Sequence, residues 1–190
     1  MRIIDNAVTR ALEIAADDSH GYDQANRWGP DYDCSSLVID CFKRAGLPLS
    51  CTYTGNMRGD MLRHGFEDVT GSVDLNTGAG LERGDVLLNH VHHTALYIGG
   101  GQIVQASINE YGTTTGGRTG DQTGREIYTR GYYNYPWDCV LRYTGAEPDT
   151  KPAPVKPTQF VTVELPMLED GQTGVVVAML QAALKYLGYD

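Results

Sequence analysis

The run Asp33-Cys34-Ser35-Ser36-Leu37-Val38-Ile39-Asp40-Cys41-Phe42-Lys43-Arg44-Ala45-Gly46 sets a nucleophilic side chain at the start of a helix. Leu37, Val38, Cys41, Phe42 and Ala45 recur at helical spacing, and Gly46 follows Lys43 and Arg44 where a helix commonly stops. Asp33 is a good N-cap type, which puts Cys34 in the first turn. There the helix N-terminus lowers the ordinary thiol pKa of about 8.5, and backbone N–H groups converge as an oxyanion needs. A buried core cysteine fits the same run, because free cysteine is among the most buried residue types.

A thiol nucleophile needs an imidazole to take its proton and later to protonate the leaving amine. His20 and His64 stand alone in surface contexts, whereas His90, His92 and His93 are concentrated. Residues 90–98 read as a strand by β-branched and aromatic content. Gly99-Gly100-Gly101 turns the chain, and residues 102–107 return as the second arm of a hairpin. On antiparallel neighbours His93 and Gln105 can face the same side, with the amide reaching a ring nitrogen. Strand alternation sets His93 on the opposite face from His90 and His92, which argues against one three-histidine metal site. Ordinary exposed strand histidines are the other reading. No metal and no other cofactor is expected.

The frame around these side chains follows from pattern. Residues 2–17 form an amphipathic helix through Ile3, Ile4, Ala7, Val8, Ala11, Leu12, Ile14 and Ala15. Residues 21–32 are a loop carrying Tyr22, Trp28 and Tyr32, suited to a cleft wall or to a loop pinned by buried rings. A short helix over 55–64 and strands over 66–70, 86–88 and 139–143 follow. Residues 111–124, with five glycines and five threonines, form a long loop or a lip to a site.

The 190 residues suit one domain plus an appendage. Fifteen Lys and Arg face 24 Asp and Glu, a net charge of −9 without a basic cluster, so nucleic acid is not an expected partner. The N-terminus turns polar too soon for a signal peptide, and no apolar run is long enough to span a bilayer. The expectation is a protein made in a cytoplasm, with no membrane partner. The four cysteines form no C-x-x-C pair; Cys41 reads as core, and Cys51 and Cys139 as structural. Pro148, Pro152, Pro154 and Pro157 make 145–159 a semi-rigid linker between a domain over 1–144 and a segment over 160–190. That segment has one apolar helix face, too little for an independent core.

Three blocks in order, Asp33-Cys34-Ser35-Ser36, Arg83-Gly84-Asp85-Val86-Leu87 and His93-Thr94-Ala95-Leu96-Tyr97-Ile98, followed by Ile103-Val104-Gln105-Ala106, resemble the NlpC-type cell-wall peptidase superfamily. The Cys-Ser-Ser variant and the aromatic ending Tyr132-Tyr133 … Tyr143 most resemble its bacteriophage endolysin amidases. The resemblance covers about residues 1–144. It implies a papain-like α+β fold, with N-terminal helices packed on a small antiparallel sheet. It also implies Cys34 as nucleophile, His93 as general base and acid, and Gln105, where the family often has histidine, as the ring's orienter. Tyr22 matches an aromatic that lines the family's site; Asp33, Ser35 and Trp28 join it as expected substrate contacts. The tail from Leu165-Pro166 to Gly188-Tyr189 resembles the first half of a peptidoglycan-binding domain.

The implied activity is peptidoglycan hydrolysis by a monomer that reaches the wall after release from the host cytoplasm. The expected cut is the N-acetylmuramoyl-L-alanine amide. The alternative is the bond between D-glutamate and the diamino acid. Outside that class stand a non-catalytic wall-binding protein, against which the Cys–His pair speaks, and a thiol acyltransferase, whose lipid substrate would call for an apolar patch.

Overall fold

The computed structural model describes residues 2–146. Three helices come first: α1 (Arg2–Ala15), α2 (Cys34–Arg44) and α3 (Thr54–Arg63). Six strands follow: β1 (Phe66–Asp68), β2 (Val86–Asn89), β3 (His93–Gly99), β4 (Gln102–Ala106), β5 (Ile127–Gly131) and β6 (Cys139–Tyr143). All neighbours pair antiparallel in the order β1-β6-β2-β3-β4-β5. The fold is thus α+β, helices against an antiparallel sheet, as the resemblance implies.

The sheet is buried on both faces, and this decides where the site lies. Val86, Leu88, Leu96, Val104 and Leu141 turn to one face and pack with Ile4, Val8, Leu37, Val38 and Phe42 of α1 and α2. Leu87, Ala95, Tyr97, Ile103 and Val140 turn to the other, under Trp137, Tyr132, Tyr133 and Tyr135. Two-sided burial explains why β2 is an unbroken apolar run instead of an alternating one. Side chains alternate along β3, so Thr94 faces the helices and His93 faces the aromatic layer.

The Arg83-Gly84-Asp85 block joins the layers. Gly84 has φ +95°, and a Cβ there would come within 2.5 Å of Ile4 Cγ2. Asp85, fully buried, accepts both arms of a bidentate pair from Arg142 of β6, at 2.8 and 2.7 Å.

Three expectations change. Residues 90–92 are a turn, and β3 begins at His93. The cause is Asn89, whose side-chain oxygen accepts the N–H of Val91 at 3.1 Å and of His92 at 2.9 Å and bends the chain there. His90 is held by Asp138, its Nδ1 2.7 Å from the carboxylate. Strand alternation therefore does not govern His90 and His92. β5 is a strand not foreseen in the sequence. The strand expected over 66–70 ends at Asp68, where the Asp68 carboxylate accepts the Thr70 N–H and starts a short 3-10 turn. The linker beyond residue 146 and the segment 160–190 lie outside the described residues.

Candidate active site

Asp33 caps α2 as its residue type suggests. Its carboxylate accepts the Ser36 N–H at 2.7 Å, and the Ser36 hydroxyl accepts the Asp33 N–H at 2.9 Å. This capping box satisfies two backbone donors reciprocally and fixes where the helix begins. The same carboxylate accepts the Ser35 hydroxyl at 2.9 Å and pairs with Arg27 at 2.7 Å. The polar atoms of Asp33 and Ser35 are thus engaged in holding the helix start. Cys34 is the first residue of α2 and is 7% exposed.

The start of α2 meets the start of β3. The Thr94 N–H reaches the Cys34 thiol, as do the N–H groups of Ser35 and Cys34 itself. Burial outweighs these donors and the nearby Asp33 charge adds to it, so the thiol is pushed up to about 11. The lowered pKa expected from the helix N-terminus is corrected here: the donors are present, but a sulfur this deep loses more by leaving water.

His93 sits one residue before Thr94, on the far sheet face. β3 and β4 pair with Leu96 opposite Val104 and Tyr97 opposite Ile103. That register brings Gln105 diagonally beside His93 on one face. Gln105 Oε1 lies 3.0 Å from His93 Nε2. The same oxygen accepts the Tyr133 hydroxyl at 3.2 Å, and Gln105 Nε2 donates to the Tyr128 hydroxyl at 3.1 Å. The amide is therefore oriented from both ends, with its oxygen toward the ring. This makes Nε2 the protonated nitrogen and leaves Nδ1 as the ring's lone-pair nitrogen. Trp137 stacks on the imidazole at 5.9 Å between centroids, and Tyr135 meets it edge-on at 5.6 Å. Burial holds the His93 pKa below 6.5; the Gln105 bond opposes this and the Arg130 charge adds to it. The imidazole is neutral at pH 7.

Of the remaining expected site residues, Tyr22 is brought close and Trp28 is not. Tyr22 is 4% exposed, and its phenol is pushed well above 10, first by burial and then by the neighbouring Cys34 and Asp33. Its backbone is clamped by buried Glu126, which accepts the Tyr22 N–H at 2.9 Å. Trp28 is 43% exposed, its ring beside Arg27 and Lys43. A groove of about 380 Å³ opens at Cys34. Asp33 and Ser35, Gln24 and Arg27, Tyr53 and Thr54, and Val91 and His92 of the turn line it; Trp28 does not.

Sequence reasoning missed Tyr128, Tyr133, Arg130 and Glu126. Tyr133 carried a signal, since it falls in the aromatic run before β6. Tyr128 and Arg130 depended on recognising β5. Glu126 has no local signature, because its partner Tyr22 is 104 residues away. Among the described residues, no group of three His, Cys, Asp or Glu side chains converges as metal ligands do. Cys34, Cys41, Cys51 and Cys139 are all free and buried.

A family model described as the endolysin-like domain matches residues 29–102 and 103–153 of the chain. No curated protein matches it in sequence. Among solved structures it is similar to NlpC2 from Trichomonas vaginalis, at 18% identity and a TM-score of 0.45 over 73% of this chain and 46% of that one. The peptidoglycan hydrolase RipB from Mycobacterium tuberculosis matches at 19% identity and a TM-score of 0.48, over 75% and 67%. An NlpC/P60 family protein from Bacillus cereus matches at 19% identity and a TM-score of 0.43, over 75% and 40%. The chain spans less than half the length of the first and third of these.

Proposed function

The chain belongs to the endolysin-like domain family, and from that premise we propose that it is a cysteine-dependent peptidoglycan hydrolase that cuts the N-acetylmuramoyl-L-alanine amide. The observation that supports this reading is the meeting of the Cys34 helix start with the start of β3: the Thr94 N–H reaches the thiol, and the residue before it, His93, carries a ring bonded to Gln105.

In this reading Cys34 starts as a thiol and His93 as a neutral imidazole. His93 Nδ1 takes the thiol proton as the sulfur attacks the carbonyl carbon. The backbone N–H groups at the start of α2 receive the charge that develops on the carbonyl oxygen. The imidazolium then gives its proton to the leaving amine, which departs as the thioester forms. Water, deprotonated by the same nitrogen, attacks the thioester and releases the thiol. Gln105 takes no proton; it holds the tautomer that leaves Nδ1 free. Tyr22 shields the thiol from solvent. Asp33 and Ser35 act by fixing the helix start and by lining the groove. The protein acts as a monomer on the wall after release, and the segment 160–190 holds it near its substrate through the linker 145–159.

The test is wall clearing and muropeptide analysis. Cys34→Ala and Cys34→Ser are expected to unfold at the wild-type temperature and to clear no walls. Mass spectrometry of the wild-type digest is expected to show glycan freed of its stem peptides. Clearing by either variant removes Cys34 from the nucleophile's role. Release of a dipeptide moves the cut to the D-glutamyl bond.

A further inference from the structure

A second cavity, of about 560 Å³, lies on the other side of Gln105 from His93, lined by Ser107, Ile108, Arg125, Tyr128, Arg130 and Gly131. It is tied to the catalytic face by direct contacts. Tyr128, directly across from Gln105 in the β4–β5 register, accepts the Gln105 amide at 3.1 Å. Arg130, directly across from Ile103, lies on the same face, its guanidinium 4.0 Å from the centre of the Tyr133 ring. Tyr133 in turn donates to Gln105 Oε1.

The cavity's charge runs against that of the chain. The chain carries −9 overall, yet both titratable cations lining this cavity are arginines and no carboxylate lines it. Among the described residues, neither Arg125 nor Arg130 has an ion-pair partner. Two nearby acids, Asp121 and Glu126, are engaged by backbone donors. Asp121 accepts backbone N–H groups of Thr123, Gly124, Arg125, Glu126 and Ile127. Glu126 accepts those of Tyr22 and Gln122. Two forked donors in one cavity, unpaired in an acidic protein, match a ligand with more than one carboxylate. The size suits a short peptide fragment.

We propose that this arginine-lined cavity is a subsite for the carboxylates of the peptidoglycan stem peptide, a specificity determinant separate from the groove at Cys34. The proposal rests on the reading of the chain as a peptidoglycan hydrolase, which supplies a peptide bearing carboxylates on D-glutamate and on the diamino acid. Wall phosphates carry the same charge, and the test separates them.

Binding is measured by calorimetry on the full chain carrying Cys34→Ala, so that turnover plays no part. The probes are the tripeptide L-alanyl-γ-D-glutamyl-diaminopimelate, the same tripeptide with its carboxylates amidated, and glycerol 3-phosphate. The free tripeptide is expected to bind at least tenfold more tightly than the amidated one. Arg125→Gln and Arg130→Gln are each expected to weaken it about tenfold, the worth of one charge-assisted contact. Arg125→Lys recovers part of the loss, and Arg118→Gln, which removes the same charge outside the cavity, leaves affinity unchanged. Equal affinity for the two tripeptides, no binding at millimolar concentration, or unchanged affinity in both glutamine variants overturns the proposal. Binding of glycerol 3-phosphate as tight as that of the tripeptide overturns the carboxylate assignment. Because Arg130 packs on Tyr133, Arg125 is the cleaner variant; its guanidinium is exposed and serves no layer of the core. Failure of the hydrolase reading shows separately, as wild-type chain that clears no walls and releases no muropeptides.

Discussion

Burial pushes the Cys34 thiol up to about 11 and the His93 imidazole below 6.5, so each partner is held in its uncharged form. Between those values the pair holds one transferable proton, which is the state that attack requires. The expected pH profile of kcat/KM is therefore broad. Its acid limb lies below the ordinary histidine value of 6.5, and it stays flat through neutrality. Gln105→Leu removes the acceptor that favours protonation of His93, so the acid limb moves further down. The rate falls about tenfold, the worth of one strong hydrogen bond to the ring. Gln105→His, which still offers an acceptor, falls least. An acid limb at or above 6.5 in the wild type would show that the ring gains positive-charge stabilisation in the site, contrary to its burial. Equal rates for wild type and Gln105→Leu would remove the orienter and leave a Cys34–His93 dyad.

At the scale of elements, Gly84 shows how closely α1 sits on the sheet. A methyl there meets Ile4 at 2.5 Å, and φ is +95°. Gly84→Ala is expected to cost about 2 kcal/mol or more, from the unfavourable backbone conformation and the overpacking together. Thermal unfolding measures it, and a loss within experimental error would mean that α1 can shift freely on the sheet. Most of these elements are legible in the chain. α1 declares itself by Ile3, Ile4, Ala7, Val8, Ala11 and Ile14, all buried. α2 declares itself by its cap and apolar face, and the β3–β4 hairpin by three glycines. The misreadings have local causes. A single Asn89 side chain converts a continuous strand into a hairpin turn, which propensity over 90–98 does not register. β5 is five residues with one fully buried apolar side chain, Ile127, and three exposed positions, so its pattern is weak. Its place at the sheet edge comes from pairing with β4. The proposed catalytic pair is legible because Cys34 and His93 each open an element. Tyr128, Arg130 and Glu126 are not, because they join the site only through β5 and the loop before it.

The charge of the whole molecule opposes the charge of its proposed subsite, and salt acts on the two in opposite directions. The chain carries −9, and a Gram-positive wall is also anionic, so approach to the intact wall is repelled at low ionic strength. Raising salt shortens the screening length from about 10 Å at 0.1 M to about 3 Å at 1 M and relieves that repulsion. A stem-peptide fragment in solution meets no such barrier at long range, but it loses attraction to Arg125 and Arg130 as salt rises. Hydrolysis of intact walls is therefore expected to speed up severalfold from low to moderate salt. The kcat/KM for a small soluble muropeptide falls over the same range, with the loss in KM. A fall for both substrates would mean that local attraction at the cavity, not the net charge, governs arrival at the wall. A rise for both would remove the arginines from substrate binding. The comparison also tests the linker 145–159 and the segment 160–190. A wall-binding segment on a tether supplies its own local concentration and makes the intact-wall rate less sensitive to net charge. A chain ended at residue 146 is therefore expected to show a steeper rise on walls than the full chain, and equal slopes for the two would remove the tether's role.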